Sequence, residues 1–292
     1  MKLHKGDCLI ESDKIESGSV DLILTDLPYG TVKDLYKNTS WDVVIDTEKI
    51  YKVANRILRK NGKMVLFCQE PFTSELKNKA LPNIPFNQRL IWEKDSSGNM
   101  LSAKKACVNF YEDVLVFSKD YDFEGLHPLR DYFKKLLDFI GLKKKYIIEK
   151  IGGKADHCFR VNSSQFELCK EHTYLDLITE FDIEKMKGFL NYEELESINE
   201  KYTSTFNLWE GKKYKSNILK YKKDYTGHHP TQKPILLLED LIKTFSNESD
   251  LVVDLTMGSG STGVAAKNTN RSFIGIEQDE KYFNIAKDRI NA

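Results

Sequence analysis

Apolar residues fall along this chain in short runs, and the spacing inside those runs switches repeatedly between two periods. Val20 to Thr25, Lys63 to Cys68, Gln88 to Trp92 and Asp113 to Ser118 are compact runs of strand length and predict strands. Between them, Thr47 to Arg59 and Pro71 to Lys79 carry apolar positions at helical spacing. The alternation returns near the C-terminal end. Ile235 to Phe245 is an amphipathic stretch, Leu251-Val252-Val253-Asp254 reads as a short buried strand, Val264 to Lys267 opens a helix, and Phe273 to Glu277 gives another strand. Strands alternating with helices imply an α/β, doubly wound, mostly parallel sheet with helices on both faces. From about Tyr121 to Lys223 the pattern becomes polar, aromatic-rich and helical, with Phe133 to Ile140 its clearest amphipathic segment. This predicts an insertion and three segments, 1–120, 121–224 and 225–292.

At 292 residues the chain is long enough for one large α/β domain plus that insertion. A mean hydropathy of -0.48 and the lack of any apolar run near membrane-spanning length predict a soluble protein with no membrane partner. Met1 to Asp7 has no signal-peptide apolar core, so a cytoplasmic location is expected. Five scattered cysteines suit reduced thiols better than a disulfide framework. His157, Cys158, Cys169 and His172 are the nearest approach to a metal pattern, but no pair has finger-like spacing, and no metal is expected.

Candidate chemistry sits at the strand ends. Asp26-Leu27-Pro28-Tyr29 directly follows the run from Val20 to Thr25, which puts a carboxylate, a restricting proline and an aromatic ring where open α/β sheets bind ligands. By itself the tetrapeptide could equally be a proline turn. Asp254-Leu255-Thr256-Met257-Gly258-Ser259-Gly260-Ser261-Thr262-Gly263 joins a strand to a helix through a glycine-rich turn, whose glycines let backbone approach a ligand and whose helix offers free amides. Glu277 ends the next strand, at about the 20-residue interval where dinucleotide folds place a ribose-binding carboxylate. His229-Pro230-Thr231-Gln232-Lys233-Pro234 precedes the amphipathic stretch, with Pro234 suited to the first helical position. A plain capped helix start would look the same.

Lys plus Arg and Asp plus Glu are both 44, so any nucleic-acid contact requires a segregated basic patch. Lys212, Lys213, Lys215, Lys220, Lys222 and Lys223, interleaved with Tyr214 and Tyr221, form one; basic and aromatic side chains together suit a phosphate backbone and exposed bases, although a solvated loop would also carry them. Glu180, Asp182, Glu184, Glu193, Glu194, Glu196 and Glu200 crowd a region that reads as a solvated helical surface. Residues 132–180 have the rhythm of a helix-turn-helix, with Arg160, Asn162, Ser163, Ser164 and Gln165 in the polar run before its last helix. Arg160, Asn162 and Gln165 are candidate base-reading residues.

Taken together, the motifs resemble those of amino-group DNA methyltransferases. Asp26-Leu27-Pro28-Tyr29 is similar to that family's Asp-Pro-Pro-Tyr, the 254–263 segment to its adenosylmethionine loop, and the 229–234 segment to its His-Pro-Thr-x-Lys-Pro element. Lys5-Gly6-Asp7-Cys8 resembles the segment contacting the cofactor adenine, and Phe110 to Phe117 the strand lining the target-base pocket. The order resembles the permuted group, in which the catalytic motif precedes the cofactor motif and a recognition domain lies between; the Asp-Leu-Pro-Tyr variant is similar to phage and mobile-element adenine methylases. The resemblance implies S-adenosyl-L-methionine as cofactor, held by Asp7, Cys8, Asp26, His229, Thr231, Lys233, Asp254, Thr256, Gly258, Ser259, Gly260, Ser261, Thr262 and Glu277. It implies double-stranded DNA as partner and site-specific transfer to adenine N6, with cytosine N4 as the alternative. A homodimer and a restriction endonuclease partner stay open.

The chemistry agrees. An exocyclic amine conjugated to its ring is a poor nucleophile, and acceptors that favour a pyramidal nitrogen would activate it. Asp26 supplies a carboxylate, the Leu27 carbonyl held by Pro28 a second acceptor, and Tyr29 a face for a base turned out of the duplex. A carbon-5 cytosine enzyme would use a cysteine, usually after proline, and no cysteine here follows one. An inactive DNA-binding relative would lack Asp26 or Asp254, and a glutamine-modifying relative would carry asparagine in place of Asp26; neither fits.

Overall fold

The computed structural model describes residues 1–28, 30, 43–97, 103–208, 211–225, 227, 229 and 231–292. Two units result, one of residues 1–120 with 205–292, the other of residues 121–204.

Among the described residues, the first unit is built on an eight-stranded sheet. In chain order its strands are β1 (Lys2–Lys5), β2 (Val20–Thr25), β3 (Leu58–Cys68), β4 (Phe86–Glu93), β5 (Tyr111–Ser118), β6 (Ile218–Lys220), β7 (Leu251–Asp254) and β8 (Ser272–Glu277). Across the sheet they run β1-β8-β7-β2-β3-β5-β4-β6, with only the two pairings of β5 antiparallel. The expected mostly parallel doubly wound sheet is therefore present. Side chains alternate between its faces. On β3, Met64, Leu66 and Cys68 join a core with Ile50, Tyr51, Ala54 and Ile57 of helix α2 (Thr47–Ile57), while Val65 and Phe67 join a second core with Leu238, Leu241 and Phe245 of α8 (Ile235–Phe245). Strand β3 begins at Leu58, earlier than its apolar run indicates. Val20 pairs with Leu58 and Leu22 with Lys63, so residues 59–62 bulge out around Asn61, which has a left-handed φ of 64°.

The insertion is shorter than its polar composition suggests. Residues 205–224 belong to the first unit because β6 pairs with β4, the Trp92 indole donates to the Tyr221 carbonyl at 2.8 Å, and Lys215 pairs with buried Asp240 on α8. Among the described residues there, Ile218-Leu219-Lys220 is the strand, too short for periodicity to reveal.

The second unit, 121–204, is helical: α4 (Leu129–Ile140), α5 (Lys144–Ile151), α6 (Glu171–Phe181) and α7 (Tyr192–Glu200). Its own core gathers Phe133, Phe159, Phe166, Tyr174, Leu177 and Leu195 with buried Cys158 and Cys169. Gly141 ends α4 with φ 68°, where a side chain would strain the backbone, and Asn191 with Glu194 closes a capping box on α7. The seven crowded acids are all exposed, as a solvated surface requires. Arg160, Asn162 and Gln165 lie on the turns between α5 and α6 and on no helix. Arg160 bonds Asp156 at 2.6 Å and also the Gln165 side chain.

Candidate active site

The site lies where the sheet reverses its winding. From β2 the chain moves to β3 on one side, and from β7 to β8 on the other, so the carboxyl ends of β2 and β7 flank the crevice in which such sheets bind ligands. Asp26 and Asp254 are the residues at those two ends. A hydroxyl ladder ties them together: Thr25 Oγ1 donates to Asp254 Oδ1 at 2.8 Å, Thr256 Oγ1 donates to the Asp26 carbonyl at 2.9 Å, and the two hydroxyls are 2.8 Å apart. Residues separated by most of the sequence thus form one rigid floor.

Above that floor opens a cavity of about 350 Å³. Its wall includes Asp7, Cys8, Asp26, Leu27, Pro28, His229, Thr231, Lys233, Asp254, Thr256, Gly258, Ser259, Ser261, Thr262 and Glu277, so nearly every residue expected from the motifs converges there. Tyr29 and Pro230 lie outside the described residues. Gly260 is the exception to the convergence. Its φ is 82°, and a Cβ on it would stand 2.8 Å from the Ala286 Cβ and 2.9 Å from the Ala286 Cα in α10 (Glu280–Asn291). The space it keeps open belongs to helix packing and not to a ligand. Of the loop's glycines, Gly258, with φ 50°, is the one on the cavity wall, and among the described residues a Cβ there would come nearest the His229 ring, at 3.8 Å.

Electrostatics differ sharply from one wall to another. Burial pushes both Asp26 and Asp254 up to about 6. Lys233 beside Asp26 works against that rise, as donors from Thr262, Thr25 and the Thr256 amide do for Asp254. Lys233 holds Oδ2 of Asp26, whereas Oδ1 is buried with no hydrogen-bond partner among the described residues. Burial, with Lys233 adding to it, pushes His229 down to about 4, so its imidazole is neutral; Nδ1 accepts from the Thr231 amide at 3.2 Å, and the ring packs edge-on against Tyr282 at 4.3 Å. Glu277 is clamped by backbone, accepting from the Gly258 amide at 2.9 Å and the Asp279 amide at 2.7 Å. The Asp7 carboxylate caps the short helix α1 (Cys8–Glu11) through the Leu9 amide at 2.8 Å.

The motif before α8 is arranged differently from its sequence expectation. Pro234 is the capping residue and not the first helical one, and the Ile235 amide is already bonded to the Asp224 carboxylate at 2.9 Å. That helix end consequently faces a protein carboxylate. What the motif contributes to the cavity is His229, Thr231, Gln232 and Lys233. Lys215 likewise departs from the basic patch, because its ammonium is held by Asp240 inside the first unit, while Lys212, Lys213, Lys220 and Lys222 are exposed and Lys223 is half-buried.

Sequence reasoning missed several residues. Arg289 donates to the Ser259 carbonyl at 2.7 Å and its hydroxyl at 3.0 Å, bracing the glycine loop from outside. Phe67 and Tyr282 line the cavity, and the Lys233 ammonium lies 5.1 Å from the Phe67 ring centre. Glu112, 3.3 Å from Lys233, is an acid inside a β-strand run, and that incongruity was the available signal.

A donor and acceptor set of this kind, hydroxyls and carboxylates around a backbone cradle with one unfilled carboxylate oxygen, suits a polar ligand with an apolar body and a reaction at a nitrogen carrying hydrogens. The comparisons agree with the geometry. The N6/N4-type DNA methylase family model matches residues 20–288, and the chain belongs to that family. The DNA adenine methyltransferase YhdJ of Escherichia coli K12 is 28% identical over 98% of this chain and 81% of that protein. The type II methyltransferase M.HpaI of Haemophilus parainfluenzae is 25% identical over 95% of this chain and 70% of its own. Among solved structures, the M1.HpyAVI–SAM complex superposes with a TM-score of 0.57 at 21% identity, covering 100% of this chain and 99% of that one. The cytosine-N4-specific PvuII DNA methyltransferase gives 0.53 at 14% identity, covering 98% and 85%. These two likenesses concern the fold. No described helix is long and apolar enough to cross a membrane.

Proposed function

We propose that this enzyme transfers a methyl group from S-adenosyl-L-methionine to the exocyclic N6 of an adenine turned out of duplex DNA. The observation that carries this reading is Oδ1 of Asp26, a buried carboxylate oxygen with no partner among the described residues, beside the glycine loop in the same cavity.

The cavity residues fit the cofactor. The Gly258 backbone offers a wall without a side chain, Glu277 and Asp7 are acceptors for sugar and base, and His229, Thr231 and Lys233 face the same space. When bound, S-adenosyl-L-methionine supplies an electrophilic methyl on a sulfonium. Asp26 Oδ1 accepts a hydrogen bond from the target amine, and the Leu27 carbonyl accepts a second, which localises the nitrogen lone pair. With its acidity near 6, Asp26 is ionised at neutral pH and basic enough to take the proton the nitrogen sheds. Tyr29 stacks on the turned-out base. The 121–204 unit with Arg160, Asn162 and Gln165 reads the target sequence, and Lys212, Lys213, Lys220, Lys222 and Lys223 hold the phosphate backbone.

The test is incubation with labelled S-adenosyl-L-methionine and duplex DNA, followed by identification of the modified nucleoside. N6-methyladenine is expected; N4-methylcytosine would transfer the reading to the other amine, and an unlabelled duplex would reject it. Asp26→Ala should abolish transfer while leaving cofactor affinity within a few-fold, as measured by calorimetry.

A further inference from the structure

The carboxylate of Asp26 ends a buried chain of alternating charges that joins three separate motifs and one residue, Lys94, outside them. Lys233 lies between Oδ2 of Asp26 and Oε2 of Glu112, 3.3 Å from the latter in an ion-pair contact that is not a hydrogen bond, and Oε1 of Glu112 accepts from Lys94 at 2.9 Å. Glu112 stands on β5 opposite Trp92 on β4, and Lys94 follows β4, bonded through its amide to the Phe110 carbonyl at 2.8 Å. The side chains of Lys94 and Lys233 are 2% and 8% exposed, so neither ammonium is a solvated surface group. Two carboxylates and two ammoniums balance, which is the condition under which charges persist in an interior. Burial acts to raise Glu112, but Lys233 and Lys94 outweigh it and hold the carboxyl below its usual range.

Asp26 has two oxygens, and activation of an amine needs one of them free of a competing donor, as buried Oδ1 is among the described residues. An ammonium on a flexible four-carbon stem fixes a partner poorly unless it is itself anchored at a second point. We propose that Glu112 is a positioning residue for methyl transfer: with Lys94 behind it, Glu112 anchors the Lys233 ammonium on Oδ2 of Asp26, which leaves Oδ1 as the oxygen presented to the target amine. The inference rests on the function proposed above. Glu112 also shares the field of Lys233, which keeps Asp26 a stronger acceptor than one paired with a lysine alone. Among the described residues, the charged groups acting on Asp26 are Lys233, Glu112 and Asp254, and the Cys68 thiol is close enough to feel both Asp26 and Glu112.

Two measurements on the full chain test this. The first is the single-turnover rate of DNA methylation against pH, at saturating cofactor. The second is a carbon-13 NMR titration of the Asp26 carboxyl, assigned by its loss in Asp26→Asn, which requires no turnover. Wild type should lose rate as pH falls through about 6, where Asp26 takes up a proton. Glu112→Gln removes a charge that raises Asp26 and releases Lys233 to it, so the midpoint should fall by roughly one pH unit and the plateau rate by on the order of 10-fold. Glu112→Asp, which keeps the charge, should restore the midpoint and part of the plateau. Lys94→Met should move the midpoint upward, since Glu112 then draws harder on Lys233.

A Glu112→Gln enzyme with the wild-type plateau and midpoint overturns the proposal. If that variant fails to fold, Lys94→Met decides, and an unmoved NMR midpoint there has the same consequence. Wild type that methylates no DNA sinks the function proposed above, whereas the NMR midpoints still decide whether Glu112 tunes Asp26.

Discussion

Gly260 separates a ligand role from a packing role, and its replacement by alanine is the sharpest test of the glycine loop. The residue sits at φ 82°, ψ 21°, immediately before helix α9 (Ser261–Asn268). Left-handed backbone costs an L-residue roughly 1–2 kcal/mol. The new methyl would also stand 2.8 Å from the Ala286 Cβ, 2.9 Å from its Cα and 3.2 Å from the Ile290 Cδ1. The Ala286 Cα is backbone of a packed helix, so α10 must shift, and overpacking of this kind costs about 1–3 kcal/mol. The two effects together predict a loss of about 2–5 kcal/mol. For a domain of this size each kcal/mol shifts the melting temperature by about 2–4 °C, which predicts a drop of roughly 5–20 °C by circular dichroism. Cofactor affinity, measured by calorimetry well below the melt, should stay within a few-fold. Gly258→Ala should differ, with only the left-handed backbone cost of roughly 1–2 kcal/mol, hence a melt lowered by no more than about 2–8 °C, but with a clear loss of affinity, because its methyl would enter the cavity. Unchanged stability with abolished binding in Gly260→Ala would refute the assignment of that glycine to helix packing.

Four further outcomes are expected. Asp254 has a folded acidity raised to about 6 against an ordinary 3.8, so its stabilisation is complete below the lower value and lost as pH rises through the higher one. Ionised and buried, it costs at most about 3 kcal/mol. Asp254→Asn keeps an acceptor for Thr25 and should therefore be more stable than wild type above pH 6, with the advantage vanishing in acid; a pH-independent difference in chemical denaturation would contradict this. Glu277→Ala should lose both cofactor affinity and melting temperature, since it releases the Gly258 and Asp279 amides, and a wild-type melt would show that the clamp carries no stability. Charge reversal at Lys220, Lys222 and Lys223 should weaken binding to all DNA sequences equally and flatten its salt dependence. Lys215→Met should instead destabilise the fold by roughly 3–5 kcal/mol with no change in salt slope, because it takes a cation from buried Asp240; the reverse pattern in filter binding and melting would exchange the two roles.

What the amino-acid order determines by itself is local. The run from Val20 to Thr25 is strand because every residue but Asp21 is buried, and Leu251 to Asp254 is strand for a similar reason. Asp26, Gly258 and Glu277 were legible as site residues because each sits at a strand end or turn, where the chain changes direction and a chemical group is left facing a crevice. The α/β class, the helical insertion and the chemistry of an activated amine follow from that punctuation. Tertiary structure decided the rest. Gly258 and Gly260 are two residues apart and look equivalent in the chain, yet one faces the cavity and the other faces Ala286, because the partner that uses the space arrives from α10. Lys215 belongs to the same basic run as Lys213, but a carboxylate on α8 claims it. The polar stretch 205–224 joins the first unit through a strand of three residues whose pairing with β4 is non-local. Lys94 reaches Glu112, and Glu112 reaches Lys233, only when β4 and β5 are brought beside the helix start of α8. Pattern and spacing encode which way each residue faces along its own element, whereas the identity of the group it meets depends on contacts between residues far apart in the chain, which no local period records.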